Sequence, residues 1–143
     1  MLGIELRQSP AGSVPASQEA QIAGSVGIVG KMTGMLYVYT SVTFARELAG
    51  VFLNLSHLER PSEELINDAV GEMTNMLGGH MKSRLVERGM PCVLTTPSVA
   101  RGNPWNLEAM RLTEGRTYSF GANGARLYVR CVLKPTPTDA TRN

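Results

Sequence analysis

The chain has 143 residues, of which 43% are hydrophobic and 18% charged, and its formal net charge is +2. This length and composition are typical of one globular domain with its own core rather than of a disordered chain. The small charge does not favour nucleic acid or a membrane surface as a partner. No apolar run reaches the roughly 18 residues that a membrane span needs, and no signal-peptide pattern is present. We therefore expect a soluble, cytoplasmic protein.

The first third of the chain predicts two strands followed by a helix. Apolar residues alternate with polar residues or glycine from Ala20 to Ile28, which is the periodicity of a strand. The run GKMTG (30–34) indicates a turn, and MLYVYT (35–40) is rich in β-branched and aromatic residues. Ser41 or Thr43 can then cap a helix over the run FARELAGVFLNL.

A second, longer helix is predicted from Pro61 to about Arg88. Proline suits the first helical position, and the acidic residues that follow it lie where the helix dipole favours negative charge. Gly89 and Pro91 are typical of a helix end.

The faces of this long helix follow from a rotation of about 100° per residue. On that basis we expect one arc to form the buried stripe: Ile66, Ala69, Val70, Met73, Met76, Leu77, His80 and Met81. The opposite, outward face is expected to carry Glu64, Asp68, Glu72, Asn75, Gly79 and Lys82.

The outward face raises a question at Glu72 and Asn75, which lie three positions apart. A carboxylate and a carboxamide on an exposed face are most simply explained as solvated side chains. Asparagine and the glycines Gly78 and Gly79, however, each cost helix stability. The glycines either leave room for the backbone of another molecule or form the C-cap of a shorter helix. The residue pattern leaves both explanations open.

The rest of the chain predicts β-structure. PCVLTTPSVA (91–100) is interpreted as one strand, broken or bulged at Pro97, and LEAMRL (107–112) as a possible short strand. RTYSFG (116–121) and ARLYVRCVLK (125–134) flank a hairpin-turn signal at Asn123 and Gly124. In the last strand one face is expected to consist of Leu127, Val129, Cys131 and Leu133.

Several residues suggest other chemistry, but the spacing around them does not support it. Lys31 follows a glycine as in a phosphate-binding loop, yet the first glycine and the Ser/Thr of that motif are missing, so a hairpin is favoured. His57 is interpreted as a loop residue and His80 as a core residue. Cys92 and Cys131 lie in strand-like runs and are interpreted as buried free thiols.

The run DAVGEMTNMLGG (68–79) resembles the signature of the CheC/CheX/FliY phosphatases of bacterial chemotaxis, in which a helix carries Glu-x-x-Asn followed by a glycine. The order of elements around it is most similar to CheX. The resemblance implies an α+β fold with long helices on one face of a mostly antiparallel sheet of about six strands, with a possible internal two-fold repeat. It also implies one domain over residues 1–135, lacking the family's first helix and followed by a flexible tail at 136–143. We expect either that the natural product extends upstream or that a neighbour covers the exposed sheet.

The resemblance further implies dephosphorylation of the aspartyl-phosphate of a CheY-like response regulator. Asn75 would orient the attacking water, and Glu72 would pair with a lysine of the regulator. Asp68, Gly79 and Lys82 would contact the same partner. No cofactor is expected on this chain, because Mg²⁺ would be bound by the regulator, and a homodimer is expected.

A non-catalytic binding or dimerisation module that docks a signalling partner through the same helix face is the alternative function. A small-molecule enzyme has no feature of the sequence in its favour.

Overall fold

The computed structural model describes residues 7–9, 21–56, 60–102, 116–122 and 125–137. Within these ranges the chain forms seven strands and two helices. In chain order they are β1 (Arg7–Ser9), β2 (Gln21–Gly30), β3 (Met32–Ser41), α1 (Val42–Phe52), α2 (Glu63–Glu87), β4 (Cys92–Leu94), β5 (Ser98–Gly102), β6 (Arg116–Ala122) and β7 (Ala125–Pro135).

The described strands form one sheet in the order β1-β6-β7-β3-β2-β4, and β5 also pairs with β2. Because β4 and β5 lie along the same edge of β2, the seven strands occupy six positions. Every pair is antiparallel. The predicted α+β class, with helices on an antiparallel sheet of about six strands, is confirmed.

The predicted single strand at 91–100 is in fact two strands. β4 pairs with the end of β2, where Val29 is opposite Val93, and β5 pairs with its start, where Ala23 is opposite Ala100. Pro97 lies between them and has no backbone N–H to donate to a ladder. The predicted position of the break, Pro97, is therefore confirmed. The turn before β3 is tighter than predicted, because β3 begins at Met32.

The core lies between α1, α2 and one face of the sheet. Its fully buried side chains include Ile22, Val26 and Ile28 of β2 and Leu36 and Val38 of β3. The predicted apolar face of the last strand is confirmed, because all four of its residues belong to the hydrophobic core or pack against it: Leu127, Val129, Cys131 and Leu133.

Helix α1 has defined caps at both ends. Ser41 is its N-cap, with the side chain accepting a hydrogen bond from the Phe44 N–H at 3.1 Å. At its end Asn54 has a φ of 52°, and Leu55 N–H donates to the Gly50 carbonyl at 2.9 Å. This is a Schellman ending with asparagine in the left-handed position.

Helix α2 begins at Glu63, two residues later than predicted. Ser62 is the N-cap and accepts from Leu65 N–H at 3.2 Å, so Pro61 precedes the helix. The predicted end is confirmed: Gly89 has a φ of 75°, and Met90 N–H donates to the Leu85 carbonyl at 2.8 Å. The helix therefore continues through Gly78 and Gly79, and neither of these is a C-cap.

Neither described helix is long and apolar enough to cross a membrane. Some predictions fall outside the described residues: the first six positions and a preceding helix, His57, the strand at 107–112, the turn at 123–124 and the tail from 138.

Candidate functional site

The middle of α2 lies unusually close to β2. A methyl group at Gly24 of β2 would overlap the Thr74 Oγ1 atom and would come within 3.3 Å of Val70 Cγ1. Thr74 is fully buried, and its hydroxyl donates to the Val70 carbonyl at 2.7 Å. One turn later Gly78 repeats the arrangement from the helix side, since a Cβ there would be 3.0 Å from Val26 Cγ1. The absence of side-chain bulk at Gly24 and Gly78 therefore sets the position of α2 on the sheet.

The first turns of α2 are held by arginines from two neighbouring elements. Arg101 of β5 donates from Nε to Asn67 Oδ1 at 2.9 Å, and its guanidinium pairs with the Glu63 carboxylate. Arg46 of α1 lies 3.7 Å from the same carboxylate. These contacts fix the N-terminal end of α2 relative to both the sheet and α1.

The residues predicted on the outward face are placed there by the structure. Asp68, Glu72, Asn75 and Lys82 are all exposed. Three residues along a helix correspond to about 60° of rotation and about 4.5 Å of rise, so the side chains of Glu72 and Asn75 are surface neighbours. Gly79 is half-buried, and no described atom lies within 4 Å of a Cβ added to it.

The predicted buried stripe is wrong at Met76 and His80, which are both exposed. Four residues advance a helix by about 400°, so Met76 lies only about 40° from the outward residue Glu72. The contact with the sheet centres instead on the opposite side of the helix, at Thr74 and Gly78. The sequence analysis did not place Thr74 and Gly78 against the sheet, because neither residue is strongly apolar. Small residues nevertheless allow a helix to approach a strand closely.

The outward face carries hydrogen-bonding groups and charge, and the hydroxyl of its exposed Ser83 donates to the Gly79 carbonyl. Asp68 and Glu72 lie on the N-terminal side of Asn75, and Lys82 lies on its C-terminal side. Among the residues that the structure describes, no three His, Cys, Asp or Glu side chains are grouped as metal ligands would be. This surface can therefore supply an amide, a carboxylate and an ammonium group to another molecule.

The two cysteines are placed away from this surface. Both are free thiols, as predicted; Cys92 is buried, whereas Cys131 is only half-buried. Burial raises the pKa of the Cys131 thiol, which lies 3.6 Å from Met81 Sδ.

An antiparallel sheet packed against a long helix defines the α+β class, and this helix presents the Glu-x-x-Asn residues Glu72 and Asn75 to solvent. Sequence comparison defines the family. The family model described as chemotaxis phosphatase CheX matches residues 22–120. The chain therefore belongs to the CheX family of chemotaxis phosphatases. The matched range contains the whole of α2, including Glu72 and Asn75. A comparison with curated protein sequences finds no significant match.

Solved structures support the same fold. The chemotaxis protein CheX from Vibrio vulnificus is 23% identical with a TM-score of 0.72, over 94% of this chain and 86% of that one. A CheX from Desulfovibrio desulfuricans is 24% identical with a TM-score of 0.72, over 94% and 89%. The CheX of a CheX-CheY-BeF3-Mg+2 complex from Borrelia burgdorferi is 17% identical with a TM-score of 0.75, over 94% and 88%.

Proposed function

We propose that this protein hydrolyses the aspartyl-phosphate of a CheY-like response regulator by inserting the exposed face of α2 into the regulator's active site. The observation that carries the proposal is the joint exposure of Glu72 and Asn75 on one face of a helix that is rigidly seated on the sheet. Membership of the CheX family supports the reaction class, and the Borrelia burgdorferi complex supports the choice of partner.

In this proposal Asn75 positions the attacking water. Its amide oxygen accepts a hydrogen bond from the water, whose oxygen attacks phosphorus while the bond from phosphorus to the aspartyl oxygen breaks. The carboxylate leaves, and the water's proton passes to the released phosphate or to solvent. An amide cannot act as a general base, but positioning and charge stabilisation carry most of the barrier reduction in phosphoryl transfer.

Glu72 has a docking role in the same proposal. Its carboxylate pairs with a lysine of the regulator, and a charge-assisted hydrogen bond of this kind holds the inserted helix in register. The Mg²⁺ that neutralises the phosphoryl oxygens belongs to the regulator. Three further residues contact the regulator in this proposal. Asp68 and Lys82 do so through their charges, and Gly79 leaves space for the regulator.

Phosphate release from the phosphorylated regulator with Mg²⁺ tests the proposal. The native chain should accelerate release, and Asn75→Ala should reduce that acceleration at least about tenfold, because removing one positioning group from a reacting complex has effects of this order. Asn67→Ala is the matched control: it is the same substitution in the same helix, but Asn67 contacts Arg101 rather than lying on the outward face. Its activity should remain near that of the native chain.

The alternative, a non-catalytic docking module, gives a different result in the same assay. The chain would then bind the regulator without accelerating phosphate release, and Asn75→Ala would not change the rate of release. The homodimer stays a prediction, which sedimentation of the native chain tests directly.

A further inference from the structure

The outward face of α2 presents a methionine beside the two proposed site residues. Met76 is 48% exposed, whereas the adjacent apolar residues Met73 and Leu77 contact the core. A single exposed apolar side chain is ordinary on a protein surface. The exposure of Met76 is relevant to the candidate site, because Met76 follows Asn75 directly and lies one turn beyond Glu72.

These residues form one continuous patch. Glu72, Asn75, Met76 and Gly79 follow the spacing i, i+3, i+4 and i+7, so each adjoins the next on the helix surface. Asn75 and Met76 lie one turn before Gly79 and are rotated to either side of it. They adjoin an open space, because no described atom beyond the helix backbone and the neighbouring residues lies within 4 Å of a Cβ added to Gly79. We call this space the Gly79 notch.

The two sides of the Gly79 notch differ in chemistry. The Asn75 side is a hydrogen-bonding amide, and the Met76 side is an apolar thioether. The Gly79 carbonyl accepts a hydrogen bond from Ser83 Oγ at 3.1 Å, so this polar group already has a side-chain partner. A molecule that fills the notch must therefore be polar on one side and apolar or small on the other.

We infer that Met76 is a docking residue that covers an apolar or small surface residue of the receiver domain beside its phosphorylated aspartate. The inference rests on the proposed function, because that function puts the receiver on this face. Around the helix axis Glu72 lies between Asn75, about 60° to one side, and Met76, about 40° to the other. A receiver that contacts both Glu72 and Asn75 therefore borders Met76 as well.

The chemistry of methionine suits this role. Its unbranched, flexible side chain adapts to irregular apolar surfaces. It has no group that could act on the phosphoryl, so its contribution is to binding of the receiver and not to the chemical step.

The test uses the full chain and the CheY-like receiver domains of the source genome, each activated with beryllofluoride and Mg²⁺ for binding and phosphorylated for turnover. Met76→Gln should raise both Kd and KM roughly tenfold, as expected when most of an apolar side chain is buried in a contact, and should leave kcat unchanged. Met76→Leu should remain close to the native chain in both measurements.

Val93→Gln is the matched control for loss of an exposed apolar side chain. Val93 is 61% exposed on β4, and its neighbours Cys92 and Leu94 face the core under α2, so Val93 points away from the helices. This variant should bind and turn over the receiver as the native chain does. Unchanged thermal unfolding of all variants excludes an indirect effect through folding.

The possible results separate this inference from the proposed function. If Met76→Gln binds as tightly as the native chain, or lowers kcat without changing Kd, Met76 is not a docking residue and the inference is wrong. If the native chain binds the activated receiver but does not hydrolyse the phosphorylated one, the proposed function fails while the Kd comparison still decides the inference. If no receiver binds, both fail.

Discussion

Thr74 of α2 lies directly over Gly24 of β2, with no space for a methyl group between them. The next residue along the helix is Asn75, which is rotated by about 100° from Thr74 and is exposed. The contact between Thr74 and Gly24 therefore fixes the depth at which α2 rests on the sheet and, with it, the distance to which Asn75 projects.

Gly24→Ala should destabilise the protein. The added methyl overlaps the Thr74 hydroxyl and approaches Val70, and overpacking in a well-packed core costs about 1–3 kcal/mol. Urea unfolding measures the loss. Gly50→Ala is the control, because no described atom lies within 4 Å of a Cβ there and alanine favours the helix. Equal stability of Gly24→Ala and the native chain would contradict the close seating of α2.

The adjacent glycines of α2 should respond differently to replacement by alanine. Gly79→Ala should stabilise the chain by up to about 1 kcal/mol through helix propensity, since the position is open. Gly78→Ala should be less stable than Gly79→Ala by about 1–2 kcal/mol, because its methyl would press on Val26 and Leu94. Urea unfolding of the pair measures the difference.

Gly79→Ala should also weaken docking although it stabilises the fold. The methyl group would occupy the Gly79 notch, so KM for the phosphorylated regulator should rise while the free energy of unfolding increases. Phosphate release at several regulator concentrations gives KM. A variant that gains stability and keeps its native KM would show that the partner does not enter this space.

Arg101 and Glu63 should be energetically coupled. A double-mutant cycle with Arg101→Met and Glu63→Gln is expected to give a coupling of about 0.5–1 kcal/mol, the range for a partly exposed pair. The coupling should shrink in high salt as the charges are screened. Glu64→Gln serves as the control, because Glu64 lies in the same turn and forms no ion pair with a residue that the structure describes. A coupling of zero would show that the ion pair between Arg101 and the Glu63 carboxylate does not anchor α2.

Both thiols should react slowly in the folded protein. Cys92 is buried, and the raised pKa of Cys131 lowers its thiolate fraction at neutral pH, the form that reacts. A chromogenic disulfide reagent should label both quickly after denaturation and slowly before it, with the native rate rising as the pH rises. Fast labelling of both residues in native protein would contradict this placement.

The sequence predicted those parts of the fold that depend on local rules. Ser41 and Gly89 are recognisable caps because a hydroxyl at the start and a glycine at the end satisfy free backbone groups. The alternation in β2 and the break at Pro97 follow from strand periodicity and from the missing proline N–H.

The parts of the fold that depend on packing between elements could not be predicted from local sequence rules. Thr74 and Gly78 face the sheet because they are small enough for close approach, and hydrophobicity does not reveal this. The predicted buried arc includes Met76 at its edge, whereas its exposure and its angle of about 40° from Glu72 place it on the outward face. The pairing of both β4 and β5 with β2 also depends on how the whole sheet assembles, so local sequence patterns did not predict it.

The candidate site was predictable in position but not in role. Periodicity alone placed Glu72 and Asn75 outward, and their exposure confirms it. An exposed acid and amide carry no signature of catalysis by themselves, because the reacting groups that would give them a function belong to another molecule.

Decay of the regulator's aspartyl-phosphate in a single turnover, at saturating concentrations of this protein, tests the central claim most directly. Saturation removes differences in binding, so the decay rate reports the chemical step alone. Asn75→Ala should slow the decay at least about tenfold relative to the native chain, while Glu72→Gln should mainly raise the concentration needed for saturation. Equal decay rates for Asn75→Ala and the native chain would contradict the claim that this exposed amide positions the attacking water.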